Sequence, residues 1–281
     1  MANKIFAFLN LIRFFKPTGI ALLYIPCAFG ILIGSEKQNF PIYNLLIFFI
    51  GSFLMRSAGC IINDLWDRKI DAKIQRTKER PLVTGDVSTR EAFIVLFILL
   101  FFSSLILFSL PQLAIKISIC SIFLVITYPL MKRITFFPQL FLGITYNIGV
   151  IIGYVAESNS FNPNILFAYL GFIFWTLIYD TIYAFLDIED DKKVGVKSLA
   201  IILEQKNSKL YFYFFGSIFL FLSIISEILI KPSYYIYMNI IPALIMFYLI
   251  NSLEIKNKIS VMKIFKNNSI LGLSLLLVII M

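Results

Sequence analysis

The sequence predicts an all-α protein that crosses a membrane about nine times, and three observations predict it. Of 281 residues, 59% are hydrophobic, and the mean hydropathy is +0.88. Apolar runs of about 18 to 23 residues, each able to cross about 30 Å of hydrocarbon, recur along the chain. Nothing shows the roughly ten-residue polar/apolar alternation of a transmembrane β-barrel.

In order, the N-terminal MANKIFAFLNLIRFFKP mixes basic and apolar residues without a small-residue cleavage site, and reads as a retained amphipathic lead-in to the first span. Apolar runs between charged or turn-rich breaks place spans at 18–34, 43–62, 92–110, 113–130, 136–156, 164–186, 210–230, 234–252 and 267–281. The connections after the even-numbered spans are rich in Lys and Arg: Arg68 to Arg90, then Lys132 and Arg133, then Lys192 to Lys209, then Lys256 to Lys266. The opposite connections hold little beyond Lys37 and Lys231. Because Lys and Arg collect on the cytoplasmic side, this puts the N-terminus in the cytoplasm and the C-terminus outside. The whole of 1–281 is read as one integral-membrane domain.

Several chemistries are excluded. The chain has no histidine, which removes His-based triads, zinc sites, haem ligation and proton relays. Cys27, Cys60 and Cys120 lie far apart inside apolar runs and read as small apolar fillers. The net charge of +9 is accounted for by topology and gives no reason to expect nucleic acid.

The 16 acids are scarce, and eight of them fall in two short windows, NDLWDRKID at Asn63 to Asp71 and YDTIYAFLDIEDD at Tyr179 to Asp191. Carboxylates at a bilayer edge are costly unless compensated. At about 100° per residue, Asn63, Asp67 and Asp71 span about 80° of one helix face, and Asp180, Asp187 and Asp191 lie within about 60°. Asp190 stands to the side of that stripe and Glu189 points away. Both windows sit at the same end of even-numbered spans, so they face one compartment. Without histidine, a metal between them would be held by oxygen, which points to Mg²⁺, Mn²⁺ or Ca²⁺. Basic residues follow each window: Arg68, Lys73, Arg76, Lys78 and Arg80 after the first, Lys192, Lys193 and Lys197 after the second. Oxygen-bound metal beside Lys and Arg is what a diphosphate requires. The following loops also resemble each other, with turns at Pro81/Gly85 and at Gly195, a weak sign of two similar halves.

Arg56 lies inside the second span, where a charged side chain marks a functional site by default. Arg13 and Lys16 precede the first span, as interface anchors or ligand contacts. Trp66, Trp175, Tyr146, Tyr179 and Tyr183 lie near the acid windows in sequence, and their rings suit a cation.

The run GCIINDLWDRKIDAKIQRTKERPLVTG resembles the first signature of the UbiA superfamily of intramembrane prenyltransferases, NDxxDxxxD followed by basic residues and RPL. YDTIYAFLDIEDDKKVGVKSLA resembles the second. RFFKPTG near the start, YPLMKRITFFPQLFLG at 128–143 and AES at 156–158 are similar to the bacterial 4-hydroxybenzoate polyprenyltransferases. Members often carry Asp before the Lys-Pro of the first of these, where this chain has Phe15.

The resemblance implies nine transmembrane helices around a central cavity that opens laterally to lipid, and a Mg²⁺-dependent reaction in a bacterial inner membrane with the site on the cytoplasmic side. Asn63, Asp67 and Asp71 match its first metal/diphosphate motif, Asp187 and Asp191 its second, and Lys132 and Arg133 a basic pair near the active site. Arg56, Arg68, Lys73, Arg76, Asp180, Tyr183 and Lys197 complete the substrate-binding candidates. The implied reaction moves a polyprenyl group from polyprenyl diphosphate to the ring carbon ortho to the hydroxyl of 4-hydroxybenzoate, in ubiquinone biosynthesis. Alternatives are another acceptor (dihydroxynaphthoate, homogentisate or haem) or a divalent-cation transporter.

Overall fold

The computed structural model describes residues 2–36 and 39–281; Lys37, one of the two basic residues expected on the opposite connections, lies outside the described residues. A short helix α1 (Ala2–Leu11) leads into α2 (Thr18–Gly34) and the 30-residue α3 (Ile42–Asp71), followed by the one-turn α4 (Pro81–Thr84) and by α5 (Thr89–Phe108). Helix α6 (Gln112–Thr127) continues through a 3-10 turn, Tyr128–Leu130, into α7 (Met131–Ile134). Then come α8 (Pro138–Ser158), α9 (Ile165–Ala184), two short helices α10 (Ile188–Val194) and α11 (Leu199–Leu203), and α12 (Ser208–Ile230), α13 (Ile240–Asn251) and α14 (Lys258–Ile280). Among the described residues there is no strand. Among the described residues, seven stretches are long and apolar enough to cross a membrane, namely α3, α5, α6 with α7, α8, α9, α12 and α14. Helix α2 and the segment Ile236–Asn251 are apolar but shorter, so the fold is all-α and polytopic while length alone yields seven spans rather than nine.

Two boundaries differ from expectation for identifiable reasons. Helix α3 runs straight through the first acid window to Asp71, because neither Pro nor Gly interrupts it after Gly59. Helix α14 begins at Lys258 instead of 267, because Asn257 caps it by accepting from the N–H of Ile259 and Ser260. A side-chain cap at the first turn satisfies otherwise orphaned donors, so Lys258, Lys263 and Lys266 enter the helix instead of a loop.

Helices α2 and α8 pack so closely that backbone meets backbone. A Cβ on Gly30 would fall 2.0 Å from the Val150 carbonyl oxygen, and one on Gly153 would fall 2.4 Å from that of Cys27. Small residues are what allow such approach where lipid supplies no hydrophobic drive. Asn147 then ties α8 to α9, donating from Nδ2 to the Phe172 carbonyl at 3.0 Å and to Thr176 Oγ1 at 2.8 Å. The main core gathers around Phe29, Phe172, Trp175 and Phe219, with the Trp175 and Phe219 rings stacked at 5.6 Å. A second apolar cluster, including Leu11, Ile61, Leu82, Val87 and Leu96, fixes α1 and α4 against α3 and α5. Outward rings such as Phe97, Phe108 and Phe123 stay exposed, as lipid-facing residues do.

Candidate active site

The first acid window lies on the last two turns of α3, and its carboxylates point inward: Asp64 is 1%, Asp67 0% and Asp71 4% exposed. Each is met by a cation from elsewhere in the chain. Asp67 is ion-paired with Lys132 of α7, and Arg133 approaches its other oxygen at 3.4 Å while also donating to the Trp66 carbonyl. Asp71 accepts from Arg80 Nη1 at 2.6 Å. Asp64 accepts from Arg13 and Arg80. The carboxamide of Asn63 bonds to none of the described residues.

The second window corrects an expectation. Asp180, Asp187 and Asp191 do not form one continuous helical stripe, because α9 ends at Ala184 and α10 starts at Ile188, with Asp187 as its N-cap residue at φ −115°. The turn moves Asp187 off the α9 face and presents it to Arg76, whose Nε donates to Oδ1 at 2.8 Å and to Oδ2 at 3.0 Å. Arg76 also donates to the Tyr183 hydroxyl at 2.6 Å and lies over that ring at 4.8 Å. The backbone N–H of Gln75 donates to Asp190 Oδ2 at 3.1 Å. The segment after α3 is thus bonded directly to the segment after α9, and the two windows converge. Asp191 makes no side-chain bond among the described residues. Burial, then the charge of Asp187, pushes its carboxyl up to about 7.

Lys16, just before α2, joins the same cluster. Burial, then the charges of Arg13, Arg76 and Arg80, holds its ammonium below the usual lysine range. Arg13, Arg76 and Arg80 already stand on carboxylates, whereas Lys16 has no ion pair among the described residues and is available to an incoming anion.

Deeper along α3, about two turns or 10 Å before Asn63, Arg56 lies against Gly19, where an added Cβ would stand 2.6 Å from its Nε. Its charge faces the hydroxyls of Tyr128 and Tyr146 and the carboxyl of Asp180, with no ion pair among the described residues. Arg56 and Asp180 are both partly exposed rather than sealed.

Three predicted candidates stand apart. Lys73 is exposed with no side-chain partner among the described residues. Arg68 turns outward, 3.4 Å from Thr89 Oγ1, and with Trp66 and Arg133 lines a surface groove. Lys197 caps the Ile134 carbonyl at 3.1 Å and lies over Phe136, so it braces the α7 turn. Trp175 is also remote, buried in the core with its Nε1 donating to Asn268 Oδ1. Conversely, Asp64 and Arg80 were not among the predicted site residues, although Asp64 and Asp71 stand seven residues, two turns, apart on α3.

The donor set fits a hard divalent cation. All its atoms are oxygens, Asn63 is unengaged among the described residues, and Asp191 is a desolvated carboxyl that Lys132 and Arg76 influence without bonding to it. Among the described residues no three acids are gathered as a metal centre would hold them, because Lys132, Arg80 and Arg76 neutralise them singly.

A profile of the UbiA prenyltransferase family matches residues 23–271. The chain belongs to the UbiA prenyltransferase family. This UbiA protein is 44% identical over 211 residues to the mitochondrial 4-hydroxybenzoate polyprenyltransferase of Rattus norvegicus, covering 74% of this chain and 56% of that one. It thus spans little more than half the length of that relative. It is 41% identical over 202 residues to the 4-hydroxybenzoate octaprenyltransferase of Vibrio campbellii, covering 72% of this chain and 70% of that one. The UbiA homolog from Archaeoglobus fulgidus, solved bound to DMAPP and Mg²⁺, shares its fold with a TM-score of 0.68 at 18% identity, over 96% of this chain and 98% of that one.

Proposed function

We propose that this UbiA protein catalyses Mg²⁺-dependent transfer of a polyprenyl group from polyprenyl diphosphate to the ring carbon ortho to the hydroxyl of 4-hydroxybenzoate, the prenylation step of ubiquinone biosynthesis. The observation that carries the reading is the order of charges with depth. At the mouth, Lys16, Arg76, Arg80 and Lys132 surround acids able to hold a cation. About two turns deeper, one arginine, Arg56, is partly exposed, with no carboxylate bonded to it among the described residues. The mouth suits a metal-bound diphosphate and the deeper site an aromatic acid whose carboxylate meets Arg56. Arg133, by contrast, is engaged with Asp67 and the Trp66 carbonyl. The relatives named for 4-hydroxybenzoate support the acceptor, and the homolog bound to DMAPP and Mg²⁺ supports the donor class and metal.

Asn63, Asp67, Asp71, Asp187 and Asp191 would hold Mg²⁺, which when bound supplies Lewis-acid charge to the leaving diphosphate. Lys132, Arg76 and Arg80, each now on a carboxylate, turn to phosphate oxygens and take up the charge that grows as the allylic C–O bond ionises. Tyr183 keeps Arg76 oriented through its hydroxyl. Apolar walls keep water from the allyl cation, and Arg56 aims the acceptor ring at it; the ring carbon that bonds to the cation then gives up its proton to the released diphosphate or a carboxylate of the site, restoring aromaticity. A cation transporter would line its path with open carboxylates, whereas here arginine and lysine accompany nearly every one.

The distribution of Lys and Arg among the connections supports a site at the cytoplasmic face of a bacterial inner membrane, and we read 1–281 as a single domain. The test is a product mass. Membranes containing the protein, given Mg²⁺, polyprenyl diphosphate and each acceptor in turn, yield the prenylated 4-hydroxybenzoate. A product only with dihydroxynaphthoate, homogentisate or haem would overturn the assignment. Arg56→Gln raises the KM for 4-hydroxybenzoate by about 10-fold or more, the loss of one charge-assisted pair, with the KM for the donor unchanged.

A further inference from the structure

Asp64 stands in surroundings unlike those of the other acids on α3. Its side chain is 2% exposed, and arginines close on it from two sides. Arg13 Nη2 donates to both carboxylate oxygens, at 2.7 and 2.6 Å, and Arg80 Nη1 donates to Oδ1 at 2.9 Å. The same Arg80 nitrogen donates to Asp71 Oδ2 at 2.6 Å, while Asp71 Oδ1 receives no bond among the described residues. One guanidinium nitrogen therefore stands between two carboxylates two turns apart, one enclosed by arginines and one open on an edge.

A carboxylate held between two guanidinium groups is a poor ligand for a divalent ion, which would approach against two positive charges. It is a good anchor for an arginine. The backbone of Arg13 points the same way. Its φ of 58° lies in the left-handed region, which side chains with a Cβ rarely adopt and which persists where surroundings impose it. What its side chain does there is reach Asp64 across 51 residues of sequence.

We propose that Asp64 is a positioning residue rather than a metal ligand: with Arg13 clamped to its other side, it holds Arg80 at the rim of the site when Asp71 turns to a cation. The proposal rests on the metal–diphosphate reading above. Without Asp64, Arg80 keeps only Asp71 as an anchor and loses it when metal binds. With Asp64, Arg80 is still aimed at the diphosphate. Donor binding therefore depends on Asp64 through Arg80, and the metal requirement does not.

The test uses the full chain in lipid nanodiscs, titrated with an unreactive polyprenyl thiolodiphosphate and, separately, with Mg²⁺. The unaltered protein binds the analogue only with Mg²⁺; no such binding overturns the metal–diphosphate reading itself. Given that binding, Asp64→Asn weakens analogue affinity about 10- to 100-fold, as loss of an orienting partner does. Arg80→Gln weakens it by a similar factor, and the double variant is no more than about twofold worse than Arg80→Gln alone. The Mg²⁺ half-saturation of Asp64→Asn stays within about threefold of the unaltered protein, while that of Asp67→Asn rises more than about 10-fold. Multiplying losses in the double variant, a Mg²⁺ shift as large as that of Asp67→Asn, or a lowered Tm with unchanged analogue affinity would each overturn the proposal. Should Asp64→Asn fail to fold, Arg13→Gln combined with Asp64→Asn removes a buried pair together. It enters the same cycle with the same expected loss.

Discussion

The two acid windows do the same kind of work from different architectures. The first is one uninterrupted helix end, and Asp64, Asp67 and Asp71 are all buried and all paired with cations. The second is broken between Ala184 and Ile188; Asp187 is ion-paired with Arg76, Asp190 lies 3.7 Å from Lys193, and Asp191 has no ion pair among the described residues. The difference teaches that the first window is a preset, neutralised wall, whereas the second holds a desolvated carboxyl, Asp191, that a cation would pair with. Arg76, which starts beside one window and bonds to the other, is the link between them.

Breaking the preset wall has the largest expected effect. Asp67→Asn leaves Lys132 unpaired and removes a proposed metal ligand, so diphosphate release in membranes falls by about 10²- to 10³-fold. Its Tm falls too, because half of a buried pair is lost. A loss as small as that of a surface charge would erase the contrast between windows. Asp191→Asn ranks next, at about 10- to 100-fold in the same assay. Its Tm holds or rises, since burial already opposes the charged carboxylate: a group whose folded pKa is raised costs stability when ionised. A Tm drop matching that of Asp67→Asn would show that both windows are preset alike. Arg76→Gln raises the KM for the donor about 10-fold, the loss of a charge-assisted contact, and leaves that for the acceptor unchanged. Equal shifts in both would mean that Arg76 joins the windows without meeting phosphate. Smallest is Lys73→Gln, whose exposed ammonium is worth less than about twofold in kcat/KM.

Much of this was readable from local rules, and the failures have local causes. The stripe of Asn63, Asp67 and Asp71 follows from helical periodicity and holds because α3 is unbroken. The stripe through Asp180, Asp187 and Asp191 failed because no Gly or Pro marks the end of α9. A signal was present nonetheless: Asp187 followed by Glu189, Asp190 and Asp191 reads as the start of a new helix, with acids in its first turn. Lys73, Arg68 and Lys197 stand near the acid windows in sequence, but Arg68 sits on another face of α3 from the acid stripe, and the chain after α3 and α10 turns Lys73 and Lys197 elsewhere.

By itself the sequence determined the all-α membrane class, the common end of the two acid windows and the oxygen-only chemistry of any metal there. Those properties depend on hydropathy, helical pitch and residue type, which act over a few turns. Tertiary structure alone decided that Arg13 meets Asp64, that Lys132 meets Asp67, that Arg76 bridges to Asp187 and that Arg56 has no ion-pair partner among the described residues. Each pairing joins residues 51 or more positions apart. Which cation finds which carboxylate is set by how the helices pack, and close contacts such as that of Gly30 with Val150 fix that packing.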